Sequence, residues 1–289
     1  MDQLLETSRR LSDLSARHQR PIPVSGWPDK VERPRWFTSP QLISLYGTAT
    51  WDSLDEIARQ ELSFWEAVSF YSLNIHGERL LMAGLAQRLY RPGLDVVSEY
   101  LHHFLAEENT HSVWFATFCR QYAGKIYPER TVAFGADERA DDPADVADFL
   151  FFARVLMFEE LVNRYNVTMA NDDLLHPVAR RINADHYADE SRHLVFGRRL
   201  VAHLWREHCA AWPADTIAHV RGHLTNYLSS MWREYYNPAA YLDAGLPEPW
   251  ALARATWSDP VAVAHRARHT GPVLQPFVDA GVLDAVTAG

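Results

Sequence analysis

The stretch INADHYADESRHLVFGRRL, residues 182–200, sets His186, Glu190 and His193 four and three residues apart. An α-helix turns once in about 3.6 residues, so this spacing lines the three side chains along one helical face. Ile182, Gly197 and Leu200 extend the same stripe, which leaves two imidazoles and a carboxylate in the middle of an apolar face. These are metal-ligand types, and a helix that offers three of them to the interior needs partners from other helices. A second Glu-x-x-His pair, Glu108 and His111, stands upstream.

Working outward, each pair is preceded by a lone glutamate at almost the same interval. Glu78 lies 30 residues before Glu108 (108 − 78), and Glu159 lies 31 before Glu190 (190 − 159). Glu78 interrupts the stripe Phe64, Val68, Tyr71, Ile75, Met82, Leu85. Glu108 and His111 interrupt Val97, Leu101, Phe104, Phe115, Phe118. Both runs alternate steps of four and three, the signature of a core-facing helix. In the next apolar segment Glu159 shares a face with Phe152, Val155, Val162 and Asn166, while Glu160 falls on a neighbouring face. An unpaired carboxylate buried on such a stripe costs several kcal/mol, so it is normally paired or bound to metal.

Helices are expected over about 53–89, 94–122, 145–170 and 177–208, with an amphipathic helix at 1–20 and another from 214 to about 236. Arg-Pro-Gly at 91–93 ends the first long helix, and the Pro-, Gly- and Asp-rich segment 127–145 reads as the crossing loop. Residues 20–36, rich in proline, exclude regular structure and are expected to wrap the surface. The tail from Asn237 carries prolines, further Trp residues and a terminal apolar turn. No Ser-rich linker or low-complexity block divides the chain. The expectation is one domain over 1–289: a four-helix core at about 53–208, an N-terminal wrap at 1–52, and C-terminal helices and tail at 209–289. Two hairpins, each offering one Glu and one Glu-x-x-His to the interior, match the ligand pattern of the ferritin-like carboxylate bundles. The fold class is therefore all-α, a ferritin-like four-helix bundle with additional N- and C-terminal helices.

Composition narrows the function. A formal net charge of −9 without a basic run argues against nucleic acid as a partner. Only Cys119 and Cys209 occur, so neither a disulfide framework nor a thiolate-bound cluster is expected, and a cytoplasmic location is. The start lacks an apolar signal-peptide core, and the longest apolar run, 149–158, contains Arg154 and is too short to cross a bilayer, so no membrane partner is expected. Oxygen and nitrogen donors without sulfur favour two iron ions, with manganese as the other candidate. Four carboxylates would balance the four positive charges of two divalent ions.

Other groups take plainer readings. Glu160 is expected to be an exposed partner of Arg164, and Glu107 to be solvated. Asp189 is weighed equally as an acceptor that holds a ligand histidine and as a surface charge. His219 and His223 are read as structural. Arg79, Arg154 and Arg192 are each either a clamp for a substrate carboxylate or an ion-paired residue.

At Glu78, EENTH (107–111), FEEL (158–161) and HYADESRH (186–193) the chain resembles the diiron 4-aminobenzoate N-oxygenase family of bacterial natural-product pathways. The resemblance covers about residues 60–205. It implies His186, one turn before the last Glu-x-x-His, as a seventh protein ligand beside Glu78, Glu108, His111, Glu159, Glu190 and His193. It also implies a homodimer and an oxygenase that uses O₂ to carry an amine, aryl or amino-acid-derived, towards hydroxylamine, nitroso or nitro products. Because no G-x-G-x-x-G fingerprint is present, the electrons would come from an external donor. A carbon hydroxylase or desaturase on the same scaffold is the alternative, and a non-catalytic iron-binding protein or a metal-free helical module are the readings from other classes.

Overall fold

A computed structural model describes residues 2–22, 26–130 and 142–284. Ten α-helices are found among them: α1 (Asp2–Arg17), α2 (Ala49–Ser53), α3 (Glu56–Ala86), α4 (Ser98–Phe118), α5 (Ala144–Ala170), α6 (Pro177–His208), α7 (Ala214–Glu234), α8 (Pro238–Asp243), α9 (Pro249–Trp257) and α10 (Pro260–Asp279). No strand is present among the described residues; an isolated parallel bridge joins Trp36 to Leu175. The all-α expectation holds, with the four long helices close to their expected bounds. The central part of the loop expected at 127–145, residues 131–141, lies outside the described residues.

Local signals set these boundaries. Asp55 caps α3 by accepting from the Ala58 N–H at 2.8 Å, which satisfies one of the free amides of the first turn. After α3 the chain turns at Tyr90, whose φ of 56° is left-handed, and at Gly93, with φ of 87°. One wide turn, Cys119–Ala123, extends α4, and Gly124 ends it at φ 71°. Pro177 opens α6 at the position where a missing N–H is harmless, and the His176 ring accepts from the Val178 N–H.

The hairpins α3–α4 and α5–α6 pack face to face as a four-helix bundle, with every ligand stripe turned inward. Phe64, Val68, Tyr71, Phe104, Phe115, Phe118, Phe152 and Leu200 are all buried on those stripes. Each such large side chain contributes about 2–3 kcal/mol by leaving water, and this offsets the cost of the polar groups between them. Gly197 lets α6 close on α5, since a Cβ there would stand 3.1 Å from Leu156 Cδ1. Helix α1 lies against α4 and α6, while α7 and α10 cover α5. One apolar cluster runs from Leu4 through the bundle to Val282.

The C-terminal region differs from the tail expected after Asn237, because it forms α8, α9 and α10. Helix α10 continues through Pro272 and Pro276, each of which removes an internal hydrogen bond. Val273 and Phe277, fully buried on this helix, supply the tertiary contacts that outweigh the local penalty. No helix among the described residues is long and apolar enough to cross a membrane.

Candidate metal centre

The bundle brings all seven expected residues together. Glu78 comes from α3, Glu108 and His111 from α4, Glu159 from α5, and His186, Glu190 and His193 from α6; none is more than 2% exposed. His193 Nδ1 lies 2.9 Å from Glu108 Oε1 and 3.1 Å from Glu190 Oε2. His111 Nδ1 is 3.7 Å from Glu108 Oε1 and 3.5 Å from Glu190 Oε1. His186 Nε2 lies 2.9 Å from Glu190 Oε1 and 3.8 Å from Glu78 Oε1. Three overlapping triads result, each with its donor atoms within 4.8 Å of one another: Glu78, His111, His186; Glu108, His111, Glu190; and Glu159, Glu190, His193.

The donor atoms at the centre are short of partners. Glu78 Oε1, both oxygens of Glu108, His111 Nδ1, Glu159 Oε1, His186 Nε2 and Glu190 Oε1 are buried without a hydrogen bond. Orphaned buried polar atoms are rare in folded proteins, and here seven converge on one point. Burial, followed by the charge of Glu108, pushes the Glu78 carboxyl well above its ordinary range. Burial and the charge of Glu190 do the same to Glu159. Burial also raises Glu190, but His193, a hydrogen bond from Glu159 and His186 outweigh it and hold Glu190 well below the usual carboxylate range. Four carboxylates cannot all be charged here unless a strong positive charge sits among them, so the residues fit two divalent ions.

The outward nitrogens of the histidines are held by a reciprocal exchange between α4 and α6. Glu107 of α4 lies 2.8 Å from Nε2 of His193 on α6, and Asp189 of α6 lies 3.2 Å from Nε2 of His111 on α4. Such contacts fix the tautomer, so that Nδ1 presents its lone pair inward. Arg192 joins the two carboxylates through Nη2, which donates to Glu107 and, at 2.7 Å, to Asp189. Ser15 of α1 accepts from Arg192 Nε at 3.0 Å, and Arg20 donates to Asp189 at 3.0 Å and to Asp185 at 2.7 Å. Burial raises the Asp189 carboxyl, but His111, Arg192 and Arg20 overcome it and hold the group down to about 2.

His186 is held differently. The Asn166 amide nitrogen lies 2.7 Å from its Nδ1, while Asn166 Oδ1 is buried without a partner. Turning the amide end for end lets the oxygen accept from Nδ1–H and leaves the Nε2 lone pair for the cluster. Glu78 gains a separate support, because Ser112 donates to its Oε2 at 2.7 Å.

Two expectations about glutamates are overturned. Glu107 is not solvated; it is buried and bonded to His193 and Arg192. Glu160 is buried as well and pairs with Arg198 of α6 in a two-pronged contact, whereas Arg164 turns to His269. The α5–α6 packing puts Arg198 nearer than a same-helix partner. Asp189 takes the acceptor role rather than the surface one. The signal for Glu107 stands in the sequence: both motifs carry an acid directly before the Glu, EENTH at 107–111 and DESRH at 189–193. Of the three arginines, Arg192 lies beneath the histidines and Arg79 pairs with Glu129 at the surface. Arg154 lines a cavity between α3, α5 and α7. His219 contacts Asp142 at 3.3 Å, and His223 is buried on α7.

Fold and donor set together define a ferritin-like bundle with a carboxylate-rich interior cluster. Residues 2–281 match the P-aminobenzoate N-oxygenase AurF family, and the chain belongs to that family of oxygenases. Among solved structures it is similar to R2-like ligand-binding oxidases described with a Mn/Fe cofactor. One variant has a TM-score of 0.54 at 14% identity, and a second 0.53 at 14%. Each alignment covers 96% of this chain and 94% of the oxidase. At that identity the likeness establishes the helical fold. No curated protein sequence matches the chain.

Proposed function

We propose that this protein oxygenates the nitrogen of an amine, with two iron ions held by Glu78, Glu108, His111, Glu159, His186, Glu190 and His193. The observation that carries the reading is the set of seven orphaned donor atoms at the centre of an apolar bundle, in a chain of an N-oxygenase family. Iron bound there would supply the redox chemistry that activates O₂. The first oxidation balances as R–NH₂ + O₂ + 2e⁻ + 2H⁺ → R–NHOH + H₂O, so an external reductant must deliver two electrons per turn.

The chain's own residues have three tasks. Glu107 and Asp189, bonded to the outer nitrogens, hold His193 and His111 in the tautomer that binds metal. Phe104, stacked on His193 with ring centroids 3.8 Å apart, and Phe115, 5.0 Å from His186, keep water from the donor atoms. Ser112 donates to Glu78 and orients its free oxygen inward.

Incubating the iron-loaded, reduced protein with O₂ and a panel of amines should give hydroxylamine, nitroso or nitro products by mass spectrometry. Carbon hydroxylation as the sole outcome would sink this reading in favour of a C-hydroxylase. A cytoplasmic homodimer, serving a natural-product pathway, is the setting that family membership supports, and light scattering tests the dimer.

A further inference from the structure

The seam between α3 and α5 is closed by phenyl rings seated on glycines. A Cβ at Gly77 would stand 2.4 Å from Phe158 Cζ, and one at Gly84 would stand 2.0 Å from Phe151 Cε2. The two glycines are seven residues apart on α3 and the two phenylalanines seven apart on α5, so the rings form consecutive rungs of one antiparallel seam. Cavities flank the Phe158 rung under the roof of α7. One of about 180 Å³ lies towards Tyr127 and Asn237, and one of about 640 Å³ lies towards Gly84 and Arg154. Gly77, Leu80, Phe158 and Tyr227 line both. Gly77 directly precedes Glu78 and Phe158 directly precedes Glu159, so the rung is one helical step from each of the two single glutamates of the cluster.

We propose that the smaller cavity seats the substrate, a single aromatic ring whose second substituent is a neutral hydrogen-bond donor such as a hydroxyl rather than a carboxylate, with Phe158 dividing the ring's seat from the cluster. This rests on the N-oxygenase reading only for which end carries the amine. Size comes first: a cavity of roughly 150 Å³ is enough for benzene, so about 180 Å³ holds one substituted ring and little more. Its apolar wall is supplied by Leu73, Leu80, Phe158 and Met231.

The polar end decides the substituent. Ser69 accepts from Asn237 at 2.9 Å, and His76 Nε2 lies 2.8 Å from the Tyr127 carbonyl. Glu129 is taken up by Arg79. Arg130, the one arginine lining the cavity among the described residues, spends its Nη1 on the carbonyls of Arg233, Glu234 and Tyr236, and its Nε stands 3.7 Å from Glu234 Oε2. Beside them Glu234 Oε1 is buried with no hydrogen-bond partner, an acceptor left unsatisfied in the lining. An acceptor there calls for a donor on the ligand, and a ligand carboxylate would meet like charge in a poorly hydrated space. Burial pushes Glu234 up to about 6, so at pH 8 the group is ionised and accepts.

The test is equilibrium binding to the iron-loaded protein without O₂ at pH 8, by calorimetry, with 4-aminobenzyl alcohol and 4-aminobenzoate as probes. The alcohol should bind at least about tenfold more tightly, the worth of one buried hydrogen bond. Glu234→Leu should abolish that preference, and Gly77→Ala, which displaces the Phe158 ring, should weaken both probes while iron content and helical signal stay unchanged. Tighter binding of the benzoate, binding of neither probe, or a preference that survives Glu234→Leu overturns the proposal. Turnover is read separately: carbon-oxidised products together with the expected binding pattern would refute N-oxygenation and leave the cavity assignment standing.

Discussion

The two flanks of the metal-ligand cluster are built on opposite principles. On the histidine flank every outward atom is tied: His111 to Asp189, His193 to Glu107, both acids to Arg192, and Arg192 to Ser15 of α1. On the glutamate flank, Glu78 and Glu159 directly follow Gly77 and Phe158, whose glycine–phenyl rung lines two cavities. A buried network of charges holds one geometry because each broken contact leaves an unsatisfied group. Apolar rings impose no such penalty and can shift within the space beside them. Under the proposed function, the contrast would give metal positioning to the first flank and access to the second.

The strongest way to break the comparison is to remove a ligand outright. Glu108→Ala or His193→Ala should abolish stoichiometric iron binding, read by elemental analysis, and turnover should fall below detection.

Next in size are the braces. Glu107→Ala leaves His193 Nε2 without its acceptor and takes one of the two carboxylates from Arg192, and should lower metal affinity by about 10- to 100-fold, measured by competition with a chelator. Asp189→Ala should do the same for His111. Because Arg192 serves both acids, the double variant should lose less than the sum of the two singles, and strict additivity would show that the braces act separately.

On the other flank, Gly77→Ala forces the Phe158 ring to move and should destabilise the fold by about 1–3 kcal/mol in denaturant titration, with iron content unchanged. Loss of iron in this variant would mean that the two flanks are not independent.

The smallest effect is expected far from both flanks, at the α10 pair His265 and His269. Burial, then Arg268 and Arg266, holds His265 down to about 4, and burial, then His265 and Arg164, does the same to His269. Both rings are thus neutral in the fold. A depressed folded value gives stability that is fully present above the unfolded pKa of about 6.5 and is lost as pH falls towards 4. His269→Phe should flatten the fall in melting temperature over that window by a few degrees, leaving iron affinity at pH 8 unchanged.

Much of the molecule was legible before its structure. Steps of four and three on apolar stripes located the four long helices and put Glu78, Glu108, His111, Glu190 and His193 in the interior. The same method misjudged Glu107 and Glu160, each one residue from a stripe glutamate. One step along a helix is about 100°, enough to leave the ligand face but not enough to reach water when a neighbouring helix or α1 covers the flank. It also took the segment from Asn237 as a proline-bearing tail, although Val273 and Phe277 bury themselves and carry α10 through Pro272 and Pro276.

The sequence by itself determined the hairpin repeat, the ligand types and their inward phase, because helical period and side-chain chemistry are local properties. Only the tertiary structure decided that Glu107 and Asp189 exchange histidines across α4 and α6, that Glu160 belongs to Arg198, and that cavities open beside Gly77. Each of those depends on which side chains distant in sequence meet in the packed bundle, and helical period does not encode that.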